Sequence, residues 1–433
     1  MENEKSFMGI QHLSLRALIM GAVGAAVLTA SSMYAALRLG MVPWPNIFAA
    51  ILALGVLKVL SKTSKNEVNV TQTAMTAGAM IAAGLGFTVP GLWMTGDEIT
   101  MSSHFWIFLG ISGLGLFMGV FLTWIWREML LKKEKLPFPI GIATAKTIEA
   151  GDEGGKKTIF LLIALALTAI FTVIRDRFMK IPEFIGFGFL DRFNIQSGIA
   201  LVPFASAIGY MIGALYSFVL FIGAIFGFFL LVPIGIEIGW FADIAVANDA
   251  RMAIGLGLMV GSGLGVILKF VFGFMKKMRQ AREKDESAVP MRARLKRSRV
   301  SLLICAIAFV ASVIMGFSPA VSALIIIGIF VATLMSSFVT GQTGICPLEI
   351  FGILVMIAIR ALVPEIGVET ALLIAGVVAI ASGFVADIMF DYKTGEIFNT
   401  NPKAQLVSQI VRRNSWSSCC ERYNNCNNKC CRL

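Results

Sequence analysis

Long, continuously apolar stretches dominate the chain, and the polar residues are concentrated between them. In these stretches, such as 158–173, apolar and polar residues do not alternate with the period of two that a transmembrane β-barrel requires. A helix needs about 20 apolar residues to cross a bilayer, so the pattern predicts an all-α, polytopic integral membrane helical bundle with about 12 transmembrane helices. The predicted spans are 15–37, 44–60, 70–87, 105–126, 158–175, 199–216, 217–236, 252–275, 300–315, 320–339, 348–363 and 370–390.

The connections differ in charge. Lys and Arg are concentrated in the connections 58–65, 127–157 and 276–299, whereas 95–103 and 237–249 are neutral or acidic. Because basic loops stay on the cytoplasmic side, we expect the first three connections to be cytoplasmic and the other two to lie outside. The prediction is a multi-pass protein of the cell membrane, with one transmembrane domain over 1–411 and both termini in the cytoplasm.

Composition supports a lipid environment. Of the 433 residues, 57% are hydrophobic and 15% charged, whereas soluble domains average roughly 45–50% apolar and about 25% charged. This excludes a soluble enzyme, a disordered chain and a collagen-like fibre. The net charge of +11 does not indicate a nucleic-acid partner, because 10 Lys and Arg residues lie in the basic cytoplasmic loop 276–299, where membrane lipids are the expected contact.

Two segments interrupt the apolar pattern. Residues 136–146 (LPFPIGIATAK) and 340–347 (TGQTGICP) are predicted either as re-entrant elements that line a cavity or as ordinary polar loops. The chain also shows a weak internal similarity. Residues 45–74 and 319–344 each run from a proline through an apolar stretch to a Thr- and Gln-rich end. If this is a structural repeat, the two polar ends meet near a pseudo-two-fold axis, where secondary transporters bind substrate.

The sequence offers little catalytic chemistry. It has no Walker A pattern and two histidines that form no HExxH pair, so we predict no enzyme, no catalytic residues, no metal site and no cofactor. An ion gradient or another subunit would then have to drive any transport.

Polar residues give the third predicted span a stripe on one side. Asn69, Gln72, Thr73 and Thr76 belong to it, and Gln72 and Thr76 are four residues apart. Such side chains seek hydrogen bonds within a bundle. They are interpreted as interhelical contacts, as part of a substrate-binding wall, or as both.

Ionisable residues within apolar spans are costly and therefore informative. Glu349 and Arg360 lie in one short span, where they could bind a substrate terminus or relay a proton, or else extend from the span ends into water. Asp387 is a candidate proton carrier. It shares a helix face with Asp391, and the alternative interpretation of this pair is a solvated helix end.

The segment 412–433 differs from the rest of the chain. It is polar and contains five of the seven cysteines. Paired thiolates could bind a soft metal, but the abrupt change in composition favours a non-native ending. Structural disulfides are not expected in a cytoplasmic tail.

Several stretches, taken together and in order, resemble the oligopeptide transporter (OPT) superfamily, which includes the yellow stripe-like transporters. The similar stretches are 40–47 (GMVPWPNI), 71–78 (TQTAMTAG), 87–93 (FTVPGLW), 136–145 (LPFPIGIATA), 209–213 (GYMIG), 343–350 (TGICPLEI) and 391–395 (DYKTG), the last of them followed by Pro402 and Gln405. In this superfamily further spans usually follow the last of these stretches, so the sequence looks C-terminally truncated.

The resemblance implies import of small peptides or of metal-chelate and other amino-acid-derived substrates, commonly coupled to protons. The predicted mechanism is alternating access. The predicted substrate-binding residues are Asn69, Gln72, Thr73, Gln342, Thr343 and Arg360, and the predicted proton-coupling residues are Glu349 and Asp387. The sequence leaves the oligomeric state open and allows a homo-oligomer.

Two other classes of function are weighed against transport. A channel needs a continuous polar pore, and dense polar rings are not visible in the sequence. An intramembrane enzyme needs paired acids or a nucleophile inside the spans, and only Asp387 and Asp391 could serve as such a pair. Both alternatives are therefore less favoured than a transporter.

Overall fold

The computed structural model describes residues 9–39, 45–60, 63–94, 101–153, 155–178, 181–195, 197–203, 206, 209–210, 213–283 and 291–410. The predicted tail 412–433 lies outside these residues. The chain divides into two compact units, one formed by 1–149 with 263–433 and the other by 150–262. Each unit is described by itself.

Helices account for most of the described chain. In chain order they are α1 (Leu15–Leu39), α2 (Asn46–Leu60), α3 (Lys65–Thr76), α4 (Ala79–Trp93), α5 (Met101–Arg127), α6 (Pro139–Glu153), α7 (Gly155–Asp176), α8 (Ala214–Ala224), α9 (Val232–Glu237), α10 (Ile244–Glu283), α11 (Met291–Ile314), α12 (Pro319–Thr343), α13 (Leu348–Leu362), α14 (Val368–Phe398) and α15 (Pro402–Ile410). Two π-helical segments, Glu128–Lys133 and Ile225–Leu231, extend α5 and α8. A 3-10 helix, Gly188–Phe193, lies between the strands β1 (Phe184–Gly186) and β2 (Gly198–Ala200).

The predicted all-α membrane bundle is confirmed. Within the described residues, seven helical segments are long and apolar enough to cross a bilayer. They are Leu15–Leu37, Lys65–Trp93, His104–Lys133, Ser217–Glu237, Ile244–Ser262, Pro319–Thr343 and Val368–Phe398. Shorter apolar helices occur at Asn46–Leu60 and Leu303–Ile314. The number of about 12 crossings stays a prediction.

Some predicted boundaries differ from the structure. The predicted span 199–216 begins in a strand, because Ile199 pairs with Ile185 in the antiparallel ribbon of β1 and β2. The basic segment 276–299 was predicted as a loop, but α10 continues through it to Glu283 and α11 begins at Met291. A run of Lys and Arg fits a helix as well as a loop, since both residues have high helix propensity.

Helix α14 forms the centre of the first unit. Nearly every side chain from Ala371 to Gly395 is buried, and the helix packs against α3, α4, α5, α12 and α13. Such all-round burial fits its sequence, which is apolar and small on every face up to Asp387. Any polar side chain on this helix therefore lies inside protein.

Small residues allow the close approach of α5 to α14. A Cβ atom on Gly115 would lie 2.7 Å from Ile380 Cγ2, and one on Gly119 would lie 2.7 Å from Phe384 Cβ. Glycines four apart form a smooth stripe that lets two helix backbones approach in lipid. This pair of glycines serves packing.

The two interrupted segments of the sequence meet each other. Phe138 N donates a 2.9 Å hydrogen bond to Gly341 O, and a Cβ on Gly341 would lie 2.7 Å from Leu136 Cδ1. The first turn of α6 also contacts α14, since Thr394 Oγ1 donates to Gly141 O at 2.9 Å. Leu136 and Phe138 are buried, so protein surrounds this non-helical backbone, as membrane proteins require.

The second unit contains α7, the ribbon of β1 and β2, α8, α9 and the first half of α10. Arg251 on α10 lies over the Phe228 ring at 4.0 Å and donates from Nε to Asn248 Oδ1 at 3.2 Å. Many of its large apolar side chains are exposed, among them Leu215, Phe218 and Trp240. Exposed apolar side chains on long helices are expected where lipid surrounds the protein.

Candidate functional site

A carboxylate lies in the core of the first unit. Asp391, in the last third of α14, is 1% exposed. Burying an ionised carboxylate away from water is unfavourable unless hydrogen bonds or an opposite charge compensate. The surroundings of Asp391 are therefore the first place to look for function.

Three neutral side chains hold the Asp391 carboxylate. Asn46 Nδ2 donates to Oδ1 at 3.0 Å, Gln72 Nε2 donates to the same oxygen, and Thr76 Oγ1 donates to Oδ2 at 3.1 Å. Gln72 and Thr76 are four residues apart on α3, so both project from one helix face. Asn46 is the first residue of α2. We call Asp391, Asn46, Gln72 and Thr76 the carboxylate cluster.

The regular helical hydrogen-bonding pattern is interrupted next to this cluster. Helix α3 ends at Thr76 and α4 begins at Ala79, although the backbone angles of Ala77 and Gly78 stay in the right-handed helical region. Discontinuous helices in secondary transporters present such half-helix ends to ions and substrates. The carboxylate cluster therefore lies where the carbonyl end of α3 is interrupted.

Gln405 on α15 supports the cluster from the side. Its Nε2 donates to Asp391 O at 2.8 Å and to Thr73 Oγ1 at 3.3 Å. A Cβ on Gly395 would lie 2.5 Å from Gln405 Oε1, so only glycine leaves room for this side chain. Nearby, Asn69 Nδ2 donates to Thr400 Oγ1 at 3.1 Å.

A second buried carboxylate lies at the start of α3. Glu67 accepts hydrogen bonds from Ser14 Oγ, from Thr63 Oγ1 at 3.0 Å, and from Nε and Nη2 of Arg16. This pair ties α1 to α3 by an ion pair with two parallel hydrogen bonds, the strongest geometry for an arginine and a carboxylate.

A cavity of about 250 Å³ lies beside the carboxylate cluster. Its lining includes Arg127, Lys132, Tyr392, Thr400 and Gln405. The Tyr392 hydroxyl is buried and has no hydrogen-bond partner within the described part of the chain, and the Arg127 guanidinium lies 5.4 Å from the Tyr392 ring centre. Gln405 also donates to the Asp391 backbone oxygen, so the cavity adjoins the residue that carries the carboxylate.

The structure places some predicted site residues in this region. Gln72 belongs to the carboxylate cluster, Thr73 accepts from Gln405, and Asn69 bonds to Thr400 one turn away. Asp387 is fully buried one helical turn before Asp391. The interpretation of these two aspartates as a solvated helix end therefore does not hold.

The other predicted residues lie elsewhere in the first unit. Gln342 and Arg360 are exposed, and Glu349 is half-buried in the first turn of α13. Thr343 is half-buried, and its hydroxyl accepts from Ile345 N at 3.1 Å at the break between α12 and α13. The proposed roles of these four residues in binding or coupling stay predictions.

Sequence reasoning missed several parts of this site. Asn46 and Gln405 stand in stretches that resembled the OPT superfamily but were given no role. Glu67 lies three residues before the predicted span 70–87, where charged residues are common. Only the long-range contacts, between residues 315 to 345 positions apart, bring Asn46, Gln72 and Thr76 to Asp391.

The described residues contain no group of three or more His, Cys, Asp and Glu side chains that could hold a metal ion. The site is instead a set of amides, hydroxyls and one carboxylate within a membrane bundle. Buried ionisable groups of this kind mark ion or substrate pathways. The fold and site define a polytopic membrane transporter.

Comparison with known proteins identifies the family. The model of the family described as "OPT oligopeptide transporter protein" matches residues 12–412, so the chain belongs to the oligopeptide transporter family. It is also similar to a Haemophilus influenzae protein named "Putative oligopeptide transporter". The two are 25% identical over 432 residues, and the match covers 88% of this chain and 67% of the relative.

Proposed function

We propose that the protein is a secondary active transporter that imports small peptides by alternating access, driven by an inward proton gradient. Family membership and the named relative support a peptide substrate. The observation that carries coupling to an ion is the fully buried Asp391 carboxylate, which lies among neutral polar side chains in the core of the bundle. Intramembrane carboxylates are the usual elements of proton relays.

The substrate class extends to metal chelates and other amino-acid-derived compounds, as the resemblance to yellow stripe-like transporters implies. For substrate contact we propose the polar stripe of Asn69, Gln72 and Thr73, together with Gln342, Thr343 and Arg360. Glu349 and Asp387 are proposed as proton-coupling residues. Of this set, Gln72 and Thr73 are the most directly connected to Asp391.

The proposed topology places both termini in the cytoplasm of a cell-membrane protein. The positive-inside rule supports it, since the connections rich in Lys and Arg come out on the same side of the membrane when the 12 predicted spans are counted. Cysteine labelling of single-Cys variants in 58–65 and 237–249 tests it, and we expect only the second to react from outside the cell.

Uptake into proteoliposomes tests the transport activity. We expect saturable accumulation of labelled di- and tripeptides, or of a ferric chelate, under an inward proton gradient, and we expect a protonophore to abolish it. Empty liposomes and an imposed outward gradient are the controls. Solute flux that rises linearly with concentration and ignores the gradient would favour a channel and overturn the proposal.

A further inference from the structure

The partners of Asp391 share one chemical property. Asn46, Gln72 and Thr76 carry amides or a hydroxyl, and each of these groups can both donate and accept a hydrogen bond. An arginine or lysine, by contrast, can only donate. Neither donates to the Asp391 carboxylate within the described residues, so a fixed ion pair does not hold this carboxylate in its charged form.

Two amide oxygens in the cluster are without partners. Asn46 Oδ1 and Gln72 Oε1 are buried and accept no hydrogen bond from any described residue. Buried acceptors of this kind are uncommon and call for an explanation. Turning either amide by 180° exchanges its NH2 group for its oxygen, and the orientation is assigned from the hydrogen-bond network. Each amide can therefore donate to a carboxylate or accept from a carboxylic acid.

From this arrangement we infer that Asp391 is the side chain that takes up and releases the coupled proton, and that Asn46, Gln72 and Thr76 accommodate both of its charge states. The inference rests on the proposed function and assigns the coupling site within it. Asp391 thereby joins Glu349 and Asp387 as a proposed proton-coupling residue, and we assign it the primary role.

The proton step changes few bonds. When a proton binds Asp391 Oδ2, that oxygen donates to Thr76 Oγ1, which reverses the present 3.1 Å hydrogen bond. The Thr76 hydroxyl hydrogen is then directed to Thr73 O, 3.4 Å away. Oδ1 keeps both amide donors, or one amide turns and accepts instead. The charge of Asp391 goes from −1 to 0, and no other side chain changes charge.

A metal cation fits this cluster less well than a proton. The Asn46 and Thr76 donor atoms contact the carboxylate directly, at 3.0 and 3.1 Å, and these contacts leave no ion-sized space between them. The proton needs no such space.

Other charged groups stand on the elements packed around Asp391. They are Glu369, Asp387, Tyr392, Lys393 and Glu396 on α14, Lys58 on α2, Lys65 and Glu67 on α3, His104 and Arg127 on α5, Glu349 and Arg360 on α13, and Lys403 on α15. Glu67 is already neutralised by Arg16, and the Arg127 guanidinium lies over the Trp124 and Tyr392 rings. Asp387 is the buried acid nearest along the helix, so its variant distinguishes the two acids in a spectroscopic test.

Infrared difference spectroscopy on the purified full chain tests the inference without any transport assay. We expect a carboxylic-acid C=O band that appears as pH falls, that is lost in Asp391→Asn and that persists in Asp387→Asn and Glu67→Gln. Absence of the band in the wild type, or its persistence in Asp391→Asn, would overturn the assignment. If Asp391→Asn does not fold, the other two variants decide. Loss of the band in Asp387→Asn or in Glu67→Gln overturns the assignment to Asp391, and persistence of the band in both variants supports the assignment.

A transport measurement separates coupling from substrate binding. In proteoliposomes, Asp391→Asn should lose proton-driven accumulation and keep exchange of labelled for unlabelled peptide, because exchange requires no net proton movement. Glu369→Gln, which changes an exposed acid in the first turn of the same helix, should keep both. Proton-driven accumulation that survives in Asp391→Asn contradicts the inference. The inference is also contradicted if the wild type accumulates peptide under a sodium gradient and not under a proton gradient.

The two tests fail in distinguishable ways. If the wild type transports no peptide but shows the titrating band assigned to Asp391, the proposed substrate is wrong and the proton site stands. If it transports peptide and Asp391→Asn stays fully coupled, the proposed function stands and the site assignment is wrong.

Discussion

Two buried carboxylates, Glu67 and Asp391, interact with α3 in opposite ways. Glu67 lies in the first turn of α3 and accepts hydrogen bonds from Arg16, Ser14 and Thr63, so an opposite charge holds it ionised. Asp391 reaches the end of the helix from α14 and is bonded to amides and a hydroxyl alone.

The difference separates structure from function. A carboxylate held by a guanidinium ties two helices together, and removing its charge leaves the guanidinium without its partner. A carboxylate held by groups that donate and accept equally well tolerates either charge state. The same residue class thus serves as a fixed connection at one end of α3 and as a site for changing charge at the other.

The largest expected effect is at Glu67. Glu67→Gln keeps the shape of the side chain but removes the charge opposite Arg16, and we expect a loss of about 3 kcal/mol in the free energy of unfolding. Unfolding in mixed micelles of denaturing and mild detergent measures it. Lys393→Met is the control, because it breaks the exposed pair with Glu396 and should cost less than about 0.5 kcal/mol. Equal losses in the two variants would contradict the structural role of the Glu67 pair.

The next effect is at Gly395. An alanine methyl there would lie 2.5 Å from Gln405 Oε1, so Gly395→Ala should displace Gln405 and cost about 2 kcal/mol through overpacking. It should also slow proton-driven uptake, since Gln405 holds the Asp391 backbone oxygen and the Thr73 hydroxyl beside the carboxylate cluster. Gly113→Ala is the control, because a methyl there meets no atom within 4 Å. Unchanged uptake in Gly395→Ala would show that Gln405 does not help to position Asp391 for coupling.

A smaller effect is expected where α3 meets the end of α14. Thr400 Oγ1 accepts from Asn69 and donates to Asn66 Oδ1 at 2.8 Å. Thr400→Val keeps the shape but removes both bonds, and we expect a loss of about 1 kcal/mol in the free energy of unfolding. A double-mutant cycle with Asn69→Leu measures the coupling of the pair. Strictly additive losses would mean that the Asn69 to Thr400 bond contributes no stability.

The smallest expected change in stability is at Asp391 itself. In Asp391→Asn the new amide can accept from Asn46 and Gln72 and donate to Thr76, so the free energy of unfolding should change by less than about 0.5 kcal/mol. The same micelle assay compares it with Glu67→Gln. A loss at Asp391 as large as that at Glu67 would show that the charge at Asp391 is structural, and the comparison between the two carboxylates would fail.

The sequence predicted part of the site. Gln72, Thr73 and Asn69 could be selected because polar residues inside an apolar span are costly and therefore meaningful. Asp391 was recognised as an acid on the same face as Asp387 but was interpreted as solvated, because a helix end cannot be distinguished from a helix interior until its neighbours are known. Asn46 and Gln405 carried no local signal, since their role depends on the distant residue that they contact.

The sequence by itself determined the class of the protein. The apolar spans, the uneven distribution of Lys and Arg, and the glycines of α5 follow from the physics of a bilayer, which acts locally on each segment. Tertiary structure decided the rest. It brought the interrupted segments 136–146 and 340–347 together, buried α14 on all sides, and gave Glu67 a guanidinium and Asp391 only neutral partners. The charge state that a buried carboxylate can adopt depends on its neighbours in space, and hydropathy along the chain does not specify them.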